Sequence, residues 1–188
     1  MGLAGLLLVL SLAAGPAALA AEIEGVSFRS TVDVGGARLV LANVGLLRYR
    51  LVVLPIKAYV GAFYVGEGID PERWRDDVPK RLELHYFWAI PGEKFGPAGE
   101  QVLAQNVSPQ TMERLRPALA QIAALYVDVQ PGDRYALTYL PGKGTELSKN
   151  GEPLGVVEGA EFASAYLQIW LGPNPIDGAF RDALLASR

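Results

Sequence analysis

The stretch from Arg48 to Val65, RYRLVVLPIKAYVGAFYV, constrains the fold more than any other part of the chain. Two arginines precede a long apolar run, rich in valine, tyrosine and phenylalanine, that holds a single charge at Lys57. The run is too short to span a bilayer as a helix, and its β-branched and aromatic content disfavours a surface helix. It predicts a pair of strands, or one strand bent at Pro55, buried on at least one face. Arg48 and Arg50 stand two residues apart, on one face of a strand, at the mouth of that apolar surface. A guanidinium there could hold an anionic or oxyanionic ligand. It could equally be a strand end that stops in water.

The surrounding pattern predicts more strands, then helices. Val32 and Val34 alternate up to Gly35-Gly36, and Leu39 and Leu41 continue after it, the signature of a tight hairpin. Pro71 suits the first turn of a short helix through Asp76. From Arg81 to Ile90, Leu82, Leu84, Tyr86 and Trp88 share one strand face, opposite Glu83, His85 and Phe87. A glycine-weakened helix is expected over Gly92–Val107. A second opens at Ser108-Pro109 with Met112, Leu115, Leu119, Ile122 and Leu125 at helical spacing, and Pro117 should kink or interrupt it. Strands over Asp133–Leu140 and Thr145–Val157, the latter turning at Asn150-Gly151, precede helices over Phe162–Leu171 and Ile176–Ala186. Antiparallel strands with helices inserted between them make an α+β fold with helices packed on one face of the sheet.

Residues 1–21 carry no charged side chain, and Gly15-Pro16 and Ala18-Leu19-Ala20 follow an apolar centre. That is the pattern of a secretory signal cleaved after Ala20 or Ala21, leaving one domain over 22–188 in the periplasm or secreted. An uncleaved anchor is the competing reading. The 188-residue chain has no cysteine, which rules out disulfides and thiolate chemistry. Its net charge of −3, with both signs interspersed, offers no nucleic-acid face. His85 is the only histidine, so no histidine-based metal site or Ser-His relay can be assembled, and Gly142-Lys143-Gly144 is a turn rather than a phosphate loop. No cofactor is expected.

The Arg48–Val65 run resembles the chalcone isomerase family, in its bacterial, exported branch. The resemblance also rests on the preceding hairpin GVSFRSTVDVGGARLVLANVGLLRYR, RLELHYFWAIPGEKF, YLPGKGTELSKNGEPLG and FASAYLQIWLGPNPIDGAFRDALL. It covers nearly all of the chain after residue 22 and implies an open-faced sandwich of antiparallel sheet and helices. It also implies that Arg48 holds the ligand's oxyanion or carboxylate, that Tyr59 stands where the enzymes carry a ligand-bonding hydroxyl, and that Tyr64 is structural. As side chains, both tyrosines read first as core aromatics with satisfied hydroxyls. The catalytic tyrosine falls on Phe95 and the serine or threonine of the penultimate helix on Ile169, neither of which can hydrogen-bond. The helix asparagine would be Asn106. Losing such donors typically costs several kcal/mol of recognition, which argues against chalcone cyclisation. The expectation is a non-catalytic exported protein that binds a small amphipathic anion such as a fatty acid in an apolar cleft, around Arg48, Tyr59, Phe95 and Ile169. The alternatives are an isomerase or lyase on another carbonyl compound, and an envelope interaction protein whose cleft Phe95, Ile169 and Trp170 fill.

Overall fold

The computed structural model describes residues 19–51 and 54–186, with side chains for all of these except 19–20, 49–51 and 54–56. The signal-peptide expectation therefore lies almost wholly outside the described residues, as does the side chain of Arg50.

Seven strands form one antiparallel meander in sequence order: β3 (Thr31–Val34), β4 (Ala37–Leu51), β5 (Leu54–Gly66), β6 (Lys80–Tyr86), β7 (Arg134–Leu140), β8 (Gly144–Lys149) and β9 (Glu152–Val157). The preceding strands β1 (Leu19–Ile23) and β2 (Val26–Arg29) form a separate hairpin. The expected cleavage site falls inside β1. The helices are α1 (Phe95–Leu103), α2 (Pro109–Leu125), α3 (Ala160–Tyr166), α4 (Gln168–Leu171) and α5 (Gly178–Leu185).

The two faces of the sheet carry different cores. Leu47, Tyr59, Phe63, Leu82, Leu84, Tyr86, Leu137 and Leu147 pack with the helices. Val60, Ala62 and Tyr64 alternate with them along β5 and pack with Val26 and Phe28 of the β1–β2 hairpin. From Tyr59 to Val65 the run is strand β5, buried on both faces, which explains its continuous apolar character there. Gly45 and Gly61 are paired in register. A Cβ at Gly61 would meet the Phe180 ring at 2.6 Å, and one at Gly45 would meet it at 2.9 Å. These two glycines form the trough that seats α5 on the sheet.

Turn chemistry works as the sequence suggests. Gly35 and Gly36 both have positive φ, as do Asn150 and Gly151. Ser108 caps α2 by accepting from the Thr111 N–H at 3.1 Å. Pro117, however, does not interrupt α2, which runs unbroken from Pro109 to Leu125. Pro117 and Glu113 sit on the exposed face of the helix, so the carbonyl that loses its partner faces water. The β6 alternation holds to Tyr86, where the strand ends. Trp88 is accordingly outside the sheet face, about half exposed, with its indole N–H donating to the Lys57 carbonyl at 2.8 Å.

Candidate functional site

Between the sheet and α1, α3 and α4 lies a cavity of about 180 Å³, walled almost entirely by apolar and aromatic side chains. Leu82, Leu84 and Leu137 form its floor, and Lys94, Ala98 and the exposed Ile176 stand at its mouth. Lys94 is the only lining residue with a formal charge among the described residues.

Five of the chain's eight tyrosines line it: Tyr59, Tyr86, Tyr126, Tyr135 and Tyr166. Their rings are fixed edge to face, with Tyr86 against Tyr135 at 6.0 Å and Tyr126 against Tyr135 at 5.2 Å. Phe95 stacks on Tyr126 at 4.8 Å. The hydroxyls are unequally committed. Tyr135 donates to the Val127 carbonyl, and the Val127 N–H donates back to its oxygen at 2.9 Å. Tyr59 accepts from the Trp170 indole at 3.0 Å, which leaves its own proton free. Tyr126 and Tyr166 share one hydrogen bond of 2.9 Å, which uses one of their two protons. Tyr86, 3% exposed, makes no side-chain hydrogen bond among the described residues. Among the described residues the cavity thus holds three phenol protons without an acceptor, and no Asp, Glu, Asn or Gln lines it.

Burial sets the protonation of these groups. It raises the Tyr59, Tyr86 and Tyr126 phenols well above their ordinary value and pushes Tyr166 up to about 12. At neutral pH all four are uncharged donors, so none can serve as a general base. What the arrangement can do is hold an oxygen acceptor inside an apolar chamber.

Three of the four residues expected at a site meet here. Tyr59, Phe95 and Ile169 all line the cavity, together with Trp170. Arg48 does not. Alternation along β4 turns Leu47 toward the helices and Arg48 toward the β1–β2 hairpin. There its guanidinium, 58% exposed, lies 3.9 Å from Glu24, which also bonds Lys57. A bulge between Leu47 and Arg48 aligns Lys57 with it on that side of the sheet. Asn106 holds a loop rather than a ligand, its amide donating to the Asn174 carbonyl at 2.7 Å and accepting from the Asn174 N–H at 2.9 Å. Tyr64 is buried on the other side of the sheet, and its hydroxyl has no hydrogen-bond partner among the described residues, against the expectation of a satisfied one. His85 faces that side too, as the β6 alternation predicts.

A profile of chalcone isomerase-like proteins matches residues 20–186. The chain belongs to the chalcone isomerase-like family. Among solved structures, the fatty-acid binding protein AtFAP1 of Arabidopsis thaliana is similar to it, with a TM-score of 0.68 and 16% identity. The match covers 86% of this chain and 92% of that one, and at such identity the likeness is one of fold. No curated protein sequence matches. Within this chalcone isomerase-like fold, the sequence alone pointed to Tyr59, Phe95 and Ile169 but missed Tyr86, Tyr126, Tyr135 and Tyr166. The available signal was the tyrosine count, with Tyr86 on a strand face otherwise made of leucines.

Proposed function

We propose that this protein is a non-catalytic binding protein for a small amphipathic molecule whose polar end is an oxygen acceptor, a carboxylate or carbonyl, as in a short or medium-chain fatty acid. The observation that carries the reading is the set of three unmatched phenol protons in an apolar chamber. Buried donors without acceptors are costly, and a ligand oxygen would satisfy them. Tyr59 and Tyr86 would donate to it, while Phe95, Ile169 and Trp170 would contact its apolar part. The fatty-acid binding protein of similar fold gives the same direction from outside the chain.

Size narrows the ligand. A chamber of about 180 Å³ is roughly six water volumes, smaller than the usual range for ligand pockets. It suits a head group with a short apolar segment, or the end of a longer chain that leaves past Lys94 and Ile176. Phe95 and Ile169 stand where the isomerases carry hydroxyl groups, and the buried phenols Tyr59, Tyr86, Tyr126 and Tyr166 are not bases at neutral pH. Chalcone cyclisation should therefore run no faster with the protein than in buffer.

The proposal includes export, with the mature chain beginning at Ala21 or Glu22. Protein recovered from its host by osmotic shock should carry that N-terminus, and native mass spectrometry of it should show a bound acid or carbonyl compound released on unfolding. Full-length protein in the washed membrane fraction would overturn the export reading. A ligand-free spectrum, with no saturable binding of carboxylates to the purified protein, would overturn the binding reading.

A further inference from the structure

The other face of the sheet turns polar where β6, β7 and β8 leave the cover of the β1–β2 hairpin. A second, wider depression of about 570 Å³ opens there. Its wall contains Arg29, Arg81 and Arg134 and one carboxylate, Glu83. Arg134 reaches Glu83 at 2.6 Å and Arg81 reaches it at 3.2 Å, so two guanidiniums share a single acid. Arg81 also donates to Thr138 at 2.7 Å, yet its Nε is buried without a partner among the described residues. Its side chain is only 14% exposed. Arg134 is held over the Phe28 ring at 5.0 Å and donates to the Ser27 carbonyl at 3.1 Å. Arg29 is exposed and has no ion pair among the described residues. The Tyr64 hydroxyl also opens into the depression, without a hydrogen-bond partner among the described residues.

Among the described residues, three guanidiniums against one carboxylate leave a surplus of two positive charges, and part of that surplus is buried. Glu146 lies two residues from Ser148 on β8 but is not in the wall. Burying paired arginines with incomplete compensation is unfavourable unless an anion completes the site. Guanidinium forks bind tetrahedral oxyanions bidentately, and a phosphate monoester carries about −1.5 to −2 at neutral pH, which matches the surplus.

We infer that Arg29, Arg81, Arg134 and Tyr64 form a binding site for a phosphate monoester dianion, separate from the apolar cavity and on the opposite face of the sheet. Arg81 and Arg134 are preorganised by Glu83, Thr138 and Phe28. Arg29, on the β2 end, closes over the anion, and Tyr64 donates to it from below. The site does not depend on the ligand proposed for the cavity.

The test uses three probes on the purified protein: inorganic phosphate, glycerol 3-phosphate, and vesicles of phosphatidylcholine with or without phosphatidic acid. Calorimetry follows the soluble probes and co-sedimentation the vesicles. At least one phosphate-bearing probe should bind saturably, more weakly as salt rises. Arg29→Ala should weaken that binding about tenfold or more at an unchanged melting temperature, and Tyr64→Phe by a smaller factor. Binding of the soluble esters identifies a free metabolite as the source, and binding of phosphatidic acid vesicles alone identifies a lipid headgroup. Arg81→Met probes the buried cation; should it unfold, Arg29→Ala and Tyr64→Phe still decide. The inference is overturned if no probe binds saturably at low millimolar concentration. It is also overturned if both of those variants bind as the native protein does.

Discussion

Replacing Tyr86 and Tyr59 with phenylalanine, one at a time, should move stability in opposite directions although their rings are 5.4 Å apart. Each change deletes one hydroxyl from a nearly fully buried residue of the same cavity. The Tyr86 hydroxyl has no hydrogen-bond partner among the described residues, so its removal relieves a desolvation cost of about 1–3 kcal/mol. Because it opens onto a cavity that admits water, the low end, about 1 kcal/mol, is expected. For a domain of this size that raises the melting temperature by about 2–4 °C. The Tyr59 hydroxyl accepts from the buried Trp170 indole. Tyr59→Phe strands that donor and should cost about 1–3 kcal/mol, lowering the melting temperature by a few degrees. Binding should respond differently, because both variants lose a donor to the ligand oxygen. Each should weaken carboxylate affinity by about five- to tenfold, a loss near 1–1.4 kcal/mol. Differential scanning calorimetry and ligand titration on the same three proteins give both quantities. A Tyr86→Phe protein less stable than wild type and unchanged in binding would refute the uncommitted-proton argument.

Other outcomes follow from the packing and the charges. Gly61→Ala puts a Cβ against Phe180 and Leu84 and should cost about 1–3 kcal/mol by denaturant melting, while Phe180→Ala should cost about 3–5 kcal/mol. Lys80 is buried beneath Tyr139, and burial lowers its ammonium from the usual value to about 8 despite Asp77 and Asp76 nearby. Its folded pKa lies below its unfolded one, so the unfolded chain binds more protons above pH 8. Stability should therefore rise from pH 8 towards 10, and Lys80→Met should flatten that limb in urea titrations. Asp133 is held at about 2 by Asn150, Lys149 and the Gln130 N–H, so its contribution is present above pH 4 and fades between about 4 and 2. Asp133→Ala should flatten that acid limb. Arg48→Ala should leave carboxylate affinity within about twofold, since Arg48 lies outside the cavity wall, whereas a contact in a partly dry cleft would be worth about ten- to a hundredfold.

The strands and helices were legible because each is written in local chemistry. Paired glycines or Asn-Gly mark the turns, Ser108-Pro109 starts α2, and a β-branched and aromatic run announces β4 and β5. Pro117 misleads because a proline's effect depends on whether the freed carbonyl reaches water, which only packing decides. Trp88 misleads because alternation says nothing about where a strand stops. The site was half legible. Tyr59, Phe95 and Ile169 come together because the order of the elements fixes their layer. Arg48 is placed by a side-chain alternation that a single residue reverses. The phenol cage was hidden because its members sit on β5, β6, β7 and at the ends of α2 and α3, far apart in sequence. So was the arginine cluster, assembled from β2, β6 and β7.

The most direct test is titration of straight-chain carboxylic acids of increasing length, read by Trp170 fluorescence with Trp170→Phe as the blank. Gly99→Leu serves as the blocked control, because a side chain there meets Ile169 and enters the cavity. Affinity should climb by about 0.8 kcal/mol, roughly fourfold, with each methylene until the chamber is full, then level off, and Gly99→Leu should abolish it. Binding no tighter than millimolar at every length, or equal binding to native and blocked protein, would contradict the assignment of this cavity as a ligand site.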